Sequence, residues 1–468
     1  MTFNKNIFDL SNLGSLFILE DKLSINSQTL PNKIHSIKNH LSKHNIGPGH
    51  KIILCLPNSR LFCEYFFAIW EIGACAVLLS PLSTEIEIAQ VASNIKPSLI
   101  IKANGKEEFL FDFTLTDKEN ILILHTSGSS GKPKGVMLSR ESLARKMETY
   151  QKNLPNESFL NTLCMLPLNF GHGLISNFLF PLFSGQQVFL APSSRLDIYS
   201  SLGETIDEYG ITCFSSVPSI LKIAANFSQA PKKKSLEKIF CASAPLDVET
   251  WANTLNWSSG IRVNNMYGMT ELASWIAGDQ KSADLYEENT FDYPWGAEVK
   301  IVKENSLDEY GEIFVKSDSM MTAYYNDPEN TKNVLTDGWF KTGDMGVVSL
   351  DRISLKGRRD NVINLSGTKV YPEEINQIIR SHKAVQDAFS IGLKVREGDA
   401  DHGIGCIVVP KANQEINLSE IQELCRVNLS PYKIPSQFKI IEKIPLNERG
   451  KIDLASIKKI FQIKGRVI

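Results

Sequence analysis

Thr126-Ser127-Gly128-Ser129-Ser130-Gly131-Lys132-Pro133-Lys134-Gly135 follows the apolar run Ile121-Leu122-Ile123-Leu124. Glycines and small hydroxyl residues let backbone N–H groups approach phosphate oxygens closely and wrap around them, while lysines supply compensating charge. The pattern is that of a phosphate cradle at a strand end. It departs from the nucleotide-binding P-loop, because Gly128 and Gly131 stand too close together and Pro133 takes the place of the hydroxyl residue. A lone Gly/Ser stretch is more often a plain turn between a strand and a helix, so the rest of the chain has to decide.

Outward from the cradle, short β-branched runs alternate with stretches of helical period. Upstream, 51–56 reads as a strand, 61–71 as a helix, 74–79 as a strand, 85–94 as a helix and 98–101 as a strand. Downstream the order recurs at 187–190, 201–209, 212–215 and 218–226. Strand, helix, strand in succession predicts an α/β fold with parallel sheets. After about residue 300, the runs 299–302 and 311–315 predict the antiparallel strands of a β-rich subdomain. Beyond Gly357 a fresh unit begins, with a helix at 372–381, strands at 388–391 and 405–409, and a helix at 418–428. Pro372 suits a first helical turn, and Glu373 and Glu374 behind it suit the helix dipole. The expected architecture is a large N-terminal domain, 1–358, of stacked α/β sheets plus the β-rich subdomain. A small mobile α+β domain, 361–468, follows a boundary near Asp360.

Composition narrows the function classes. The 468 residues are too many for one compact domain, and 43% are hydrophobic, enough for a large core. Lys plus Arg number 50 against 52 Asp plus Glu, so a formal net charge of −2 leaves no basic field for nucleic acid or anionic lipid. Lys232 to Lys234 form the densest basic run, too short to be more than a solvated turn. The eight cysteines form no C-x-x-C pair, which excludes the usual zinc and disulfide patterns and fits a reducing compartment. The first ten residues lack the pattern of a secretory signal. The most apolar segment, 61–79, carries Glu64 and Glu71, which argues against a bilayer span. These features predict a soluble cytoplasmic protein acting on small molecules.

Four further segments follow the cradle in order. They are Tyr267-Gly268-Met269-Thr270-Glu271 behind the strand-like 262–265, then Gly338-Trp339-Phe340-Lys341-Thr342-Gly343-Asp344 after Tyr324-Tyr325-Asn326-Asp327-Pro328-Glu329. After these come the stretch from Gly357-Arg358-Arg359-Asp360 to Ser366-Gly367-Thr368-Lys369, and finally Pro445-Leu446-Asn447-Glu448-Arg449-Gly450-Lys451. With the cradle, this series resembles the acyl-adenylate-forming superfamily, which includes acyl- and aryl-CoA synthetases, luciferases and peptide-synthetase adenylation domains. The pattern is most similar to acyl-CoA ligases. The resemblance covers nearly the whole chain, through Pro57-Asn58-Ser59 and Gly73-Ala74-Cys75-Ala76 as well. Ala323 departs from the glycine usual before the paired tyrosines, and the link between Ile101 and Ile121 is shorter than in relatives.

The resemblance implies ATP, Mg²⁺ and coenzyme A, or a carrier protein's phosphopantetheine, as reactants. Thr126, Ser127, Gly128, Ser129, Ser130, Gly131 and Lys134 would hold phosphate, and the small segment at Ala244 and Pro245 would lie against adenine. Tyr267 would stack on the base, Asn265 would meet its amino edge, and Thr270 would touch the α-phosphate. Glu271 would hold Mg²⁺, a role suited to a hard carboxylate oxygen. Asp344 would take the ribose hydroxyls and Arg358 the ribose or phosphate. Asp360 would be the hinge, Gly367 would line the thiol channel, and Lys451 would be the main catalytic residue, with Thr270 and Glu271 beside it. A carboxylate then attacks the α-phosphorus, pyrophosphate leaves, and positioning and charge stabilisation dominate. After rotation at Asp360 a thiol takes the acyl group.

Pro167-Leu168-Asn169-Phe170-Gly171-His172-Gly173-Leu174 matches the segment that lines the acyl pocket in the superfamily. Gly171 stands where amino-acid-activating relatives carry an aspartate, which disfavours an amino acid. Phe170, His172 and Trp275 make a partly aromatic pocket for an aryl or medium acyl acid. His172 either orients the substrate or is simply a satisfied histidine. His125 is read as ending its strand. Two other readings remain at this point: a standalone enzyme that loads a separate acyl or peptidyl carrier protein, and a catalytically inactive nucleotide-binding scaffold. The scaffold would be expected to lack one of Glu271, Asp344 or Lys451, and all three are present.

Overall fold

The computed structural model describes residues 10, 13–25, 30–126, 134–154, 156–193, 195–278, 286–292, 295–305, 309–349, 352–365, 368–393, 403–446 and 452–462. The chain divides into two compact units. The first is Met1–Val299 with Val315–Lys341 and Leu350–Ile353, and the second is Lys300–Phe314 with Thr342–Ser349 and Ser354–Ile468.

Among the described residues the first unit holds two seven-stranded sheets. In one, Val263–Asn265, Lys238–Cys241, Cys213–Ser216, Asn161–Cys164, Gln187–Leu190 and Leu16–Ile18 run parallel, and Leu23–Ile25 closes the edge antiparallel. In the other, Asn120–Thr126, Cys75–Leu78, Lys51–Leu54 and Leu99–Ile101 are the parallel centre. Its edges are antiparallel, with Glu107–Phe109 on one side and Lys134–Ser139 followed by Ala323–Tyr324 on the other. The central strands are buried on both faces, as continuous runs such as Lys-Ile-Ile-Leu and Cys-Ala-Val-Leu require. Leu163, Phe214, Ile239 and Val263 form the core of the first sheet with Leu202, Ile206 and Leu221 from its helices.

The alternation read from sequence is the alternation in the fold. The helix Arg60–Glu71 starts where the Ser59 hydroxyl accepts from the Phe62 N–H, and Thr84 and Glu87 form a reciprocal cap on Glu85–Ile95. Glu64 and Glu71 are paired with Arg60 and Lys38, which accounts for two carboxylates on an apolar helix. No helix among the described residues is long and apolar enough to cross a membrane.

The second unit has its own core of Ile375, Ile379, Ala388, Cys406, Val408 and Ile421. The helix Pro372–Arg380 packs on the antiparallel pair Val385–Leu393 and Gly403–Pro410, with Gln437–Ile440 added parallel. This compact unit also takes in 300–314 and 342–349, which lie upstream of the sequence boundary near Asp360. Gly311–Lys316, Trp339–Ser349 and Arg352–Arg358 are neighbouring strands of one sheet, and side chains reinforce the pairing. Arg358 donates to the Thr342 carbonyl at 2.7 Å and to Asp344 at 3.0 Å, and Arg359 donates to Glu312 at 2.7 Å, so the stretch before Asp360 is held by those segments.

Candidate active site

The cradle joins two antiparallel strands. Thr126 lies opposite Lys134 and His125 opposite Gly135, so the two ends of the cradle are fixed in register by the hairpin Asn120–Thr126 and Lys134–Ser139. The bland reading of a strand-to-helix turn is thereby replaced, and the strand ends at Thr126 rather than at His125. Ser127, Gly128, Ser129, Ser130 and Gly131 lie outside the described residues, as do Gly367 and Lys451.

The second motif is a tight hairpin. Tyr267–Met269 pairs with Ser274–Ala277, and Thr270 and Glu271 sit in the 3₁₀ turn between them. The strands approach so closely that a Cβ on Gly268 would fall 2.2 Å from the Ser274 carbonyl oxygen, which restricts this position to glycine. Tyr267 is buried with its ring 5.4 Å from that of Phe291. Asn265 ends its strand, and its Nδ2 donates to the Tyr286 hydroxyl at 3.0 Å. That bond orients the amide so that the carbonyl oxygen is the atom suited to an exocyclic amino group. Ala244 and Pro245 follow the strand Lys238–Cys241, just after Ser243 in a left-handed conformation at φ 73°.

Glu271 accepts a hydrogen bond on Oε1 from the Tyr324 hydroxyl at 2.9 Å. The Tyr324 ring lies 5.0 Å from the Lys134 ammonium, so it connects the cradle's end to the turn that carries Glu271. Sequence reading quoted Tyr324 without assigning it a role; the paired tyrosines were the available signal. A single carboxylate fits magnesium, which binds through one or two protein carboxylates and keeps waters and phosphate oxygens in its remaining positions. Among the described residues no group of three or more His, Cys, Asp or Glu side chains forms an all-protein cage.

In the second unit Asp344 and Arg358 form an ion pair at 3.0 Å. Gly343 between Thr342 and Asp344 adopts φ 72°, and a Cβ there would meet the Arg358 guanidinium at 2.7 Å. The two residues assigned to the ribose therefore meet each other. Asp360 lies in the short turn Arg359–Asn361.

His172 opens a π-helical stretch, His172–Leu179. Its Nδ1 shares a hydrogen bond with the Ser243 hydroxyl at 3.0 Å, and its Nε2 with Ser215 at 2.6 Å. Desolvation pulls its pKa down to about 3, so the imidazole is neutral at ordinary pH. Trp275 stands 5.2 Å from it, edge-on, and is itself buried against Tyr150 and Phe240. Behind Trp275, fully buried Lys146 donates to the Trp275 carbonyl at 2.7 Å, and burial lowers its pKa to about 7. The Tyr150 hydroxyl, Ser176 and Ser274 continue this polar network at 2.9 and 2.7 Å. Phe170 is half-buried two residues before the π-helical stretch. The roles of Ser215, Ser243 and Lys146 are invisible to motif reading, since their partners His172 and Trp275 are distant in sequence.

Fold and site together define an adenylate-forming enzyme with a large N-terminal and a smaller C-terminal part. The AMP-binding enzyme family matches residues 24–119 and 111–325, and the C-terminal domain of AMP-binding enzymes matches 374–451. The chain belongs to the AMP-binding enzyme family, as an acyl-CoA-synthetase-like member. An oxalate–CoA ligase of Arabidopsis thaliana is 26% identical over 90% of this chain and 90% of its own length. A probable CoA ligase of Humulus lupulus is 29% identical over 73% of this chain, and the match spans 66% of that relative. The O-succinylbenzoate coenzyme A synthetase of Bacillus subtilis, solved in complex with AMP, superposes with a TM-score of 0.82 at 21% identity, covering 98% of each chain.

Proposed function

We propose that the protein activates a carboxylic acid with ATP as an acyl-adenylate and transfers the acyl group to a thiol, with coenzyme A as the acceptor. The observation that carries this reading is the Tyr324 bridge between the end of the cradle at Lys134 and the Glu271 carboxylate. It brings two of the ordered motifs onto one phosphate-binding edge. Kinship with CoA ligases supports coenzyme A over a carrier protein.

In the first half-reaction an oxygen of the acid attacks the α-phosphorus and pyrophosphate leaves. The cradle from Thr126 to Lys134 holds phosphate oxygens, Thr270 meets the α-phosphate, and Lys451 neutralises charge between carboxylate and phosphorus. Tyr267 and Asn265 hold the base, with Ala244 and Pro245 against its plane, and Asp344 and Arg358 hold the ribose. Glu271 would hold magnesium, which when bound offsets phosphate charge. A turn at Asp360 then exchanges Lys451 for the Gly367 side, and the thiolate attacks the acyl carbon and releases AMP.

Phe170, His172 and Trp275 face the acyl tail in this reading. The neutral imidazole of His172, with buried Lys146 committed to a backbone carbonyl, favours an uncharged aryl or medium acyl tail over a second carboxylate. Such a wall offers hydrogen bonds and ring edges but no cation.

The test is acid-dependent pyrophosphate release with Mg-ATP across a panel of aryl, acyl and dicarboxylic acids, with and without coenzyme A. An uncharged-tail acid is expected to drive release, coenzyme A to give its thioester, and Lys451→Ala to lose roughly a hundredfold or more in rate. Adenylate that reaches only a carrier protein would move the acceptor, and no release with any acid would remove the enzyme reading.

A further inference from the structure

Residues 321–325 lie alongside the outer strand of the cradle hairpin. Ala323 and Tyr324 pair with Met137 and Val136, and the Tyr325 N–H donates to the Gly135 carbonyl at 2.7 Å. The Met321 N–H donates to the Glu271 carbonyl, also at 2.7 Å. This short segment thus braces two motifs that are remote in sequence. In an extended chain successive side chains point to opposite faces, and the paired tyrosines obey this rule. Tyr325 joins the core with Ile53, Val77 and Ile123, and its hydroxyl donates to the Ile95 carbonyl at 3.1 Å. Tyr324 faces the site instead, buried, with its hydroxyl on Glu271 and its ring beneath Lys134.

The chemistry of that contact is specific. An arginine on Glu271 would cancel the carboxylate's charge, whereas a phenol gives one hydrogen bond and leaves the charge available to a cation. The bond also orders a side chain with several torsions before any nucleotide arrives, which a loose exposed glutamate would have to lose on binding. The ring face meanwhile attracts the Lys134 ammonium without consuming its hydrogen-bond donors.

We propose that Tyr324 is a positioning residue for adenylation: one side chain sets both the carboxylate that takes the metal and the lysine that ends the phosphate cradle. This rests on the adenylation reading of the site and adds a residue to it. Tyr325 supplies an internal control, since it too is buried with its hydroxyl bonded but serves the core.

The experiment measures ATP binding by calorimetry at stepped Mg²⁺ concentrations and in EDTA, with no acid present, and then pyrophosphate release. Tyr324→Phe keeps the ring and the Lys134 contact and removes only the hydroxyl. Its magnesium-dependent gain in ATP affinity is expected to fall about tenfold, the size of one hydrogen bond to a charged group. Binding in EDTA and the KM for the acid stay at wild-type values. Tyr325→Phe lowers Tm and leaves the magnesium titration unchanged. Adding Tyr324→Phe to Glu271→Gln has no further effect on that titration, because the hydroxyl acts through the carboxylate. A wild-type magnesium titration in Tyr324→Phe overturns the proposal. So does an equal loss in EDTA, which marks a structural defect, or an undiminished loss on the Glu271→Gln background. A wild-type protein that binds no Mg-ATP fails at an earlier step and removes the adenylation reading itself.

Discussion

The wall behind His172 and the knot around Asp344 handle charge in opposite ways. In the wall, basic side chains have their charged forms disfavoured: half-buried His172 is shared between two serines with its pKa lowered to about 3, and fully buried Lys146 rests on a backbone carbonyl with its pKa lowered to about 7. In the knot, charges are kept and paired: Arg358 with Asp344 and Arg359 with Glu312. The guanidinium side chains are 46% and 52% exposed, while their carboxylate partners are nearly buried. Burial penalises an ion unless a partner or water compensates, so the unpaired basic groups of the wall are pushed toward their neutral forms and the paired, half-open knot retains its charges. A neutral wall suits an uncharged acyl tail, and a charged knot suits a hydroxyl-rich sugar beside phosphate.

Glu271 belongs to neither pattern, since its carboxylate is held by a neutral phenol. On the proposed adenylation reading, its charge stays available to a metal ion. Glu271→Gln is expected to lower kcat for acid-dependent pyrophosphate release roughly a hundredfold or more, as the loss of one preorganised charge stabiliser does. Asp344→Asn, whose partner Arg358 remains, is expected to act mainly through the KM for ATP. Equal losses of kcat in the two variants would break the contrast between a charge that works in the reaction and a charge that holds a ligand.

The wall makes a prediction about pH. His172 has a folded pKa near 3 against an ordinary value of 6.5, so between these limits the unfolded chain binds a proton that the folded chain refuses. Stability associated with the neutral ring is complete above pH 6.5 and declines as pH falls toward 3, by at most about 1.4 kcal/mol per pH unit. Replacing His172 with Asn removes that titration. From pH 6.5 down to about 5, before most carboxylates protonate, wild type should lose stability more steeply than His172→Asn in denaturant titrations. Parallel slopes would mean that the ring is charged in the folded protein, and the neutral-wall argument would fall with it.

These contrasts also show what a sequence can display. The sheets were legible because their signal is local: Ile-Ile-Leu and Cys-Ala-Val-Leu are buried on both faces and read as such, and Ser59 and Thr84 cap the helices they precede. The turn holding Thr270 and Glu271 was legible because its chemistry is contiguous. The partners were not. His172 finds Ser215 on one strand and Ser243 in the bend after another, and Glu271 finds Tyr324, through contacts fixed only when the sheets assemble. The same holds for 300–314 and 342–349: as text they continue the β-rich subdomain, and their shared sheet with Arg352–Arg358, together with the reach of Arg358 and Arg359, ties them to the second unit.

The knot yields the smallest effect and the finest test of the comparison. Arg358 donates to both the Thr342 carbonyl and Asp344, and the Gly343 N–H donates to Glu312 at 3.1 Å. Because the guanidinium is half-exposed, water and salt screen it, and the pair contributes about 1 kcal/mol at most. Arg358→Met keeps the aliphatic stem and removes the charge, so the amides of Gly343 and Asp344 should exchange hydrogen roughly fivefold faster, the factor matching that energy. Added salt should speed exchange at these amides in wild type and leave Arg358→Met nearly unchanged, since only the wild type has a pair to screen. The His172 wall, with no ion pair among its described residues, should show no such salt response in either protein. A salt effect of equal size at both places would mean that the two regions do not differ in kind, whereas a response confined to the knot ties it to paired charge rather than to packing.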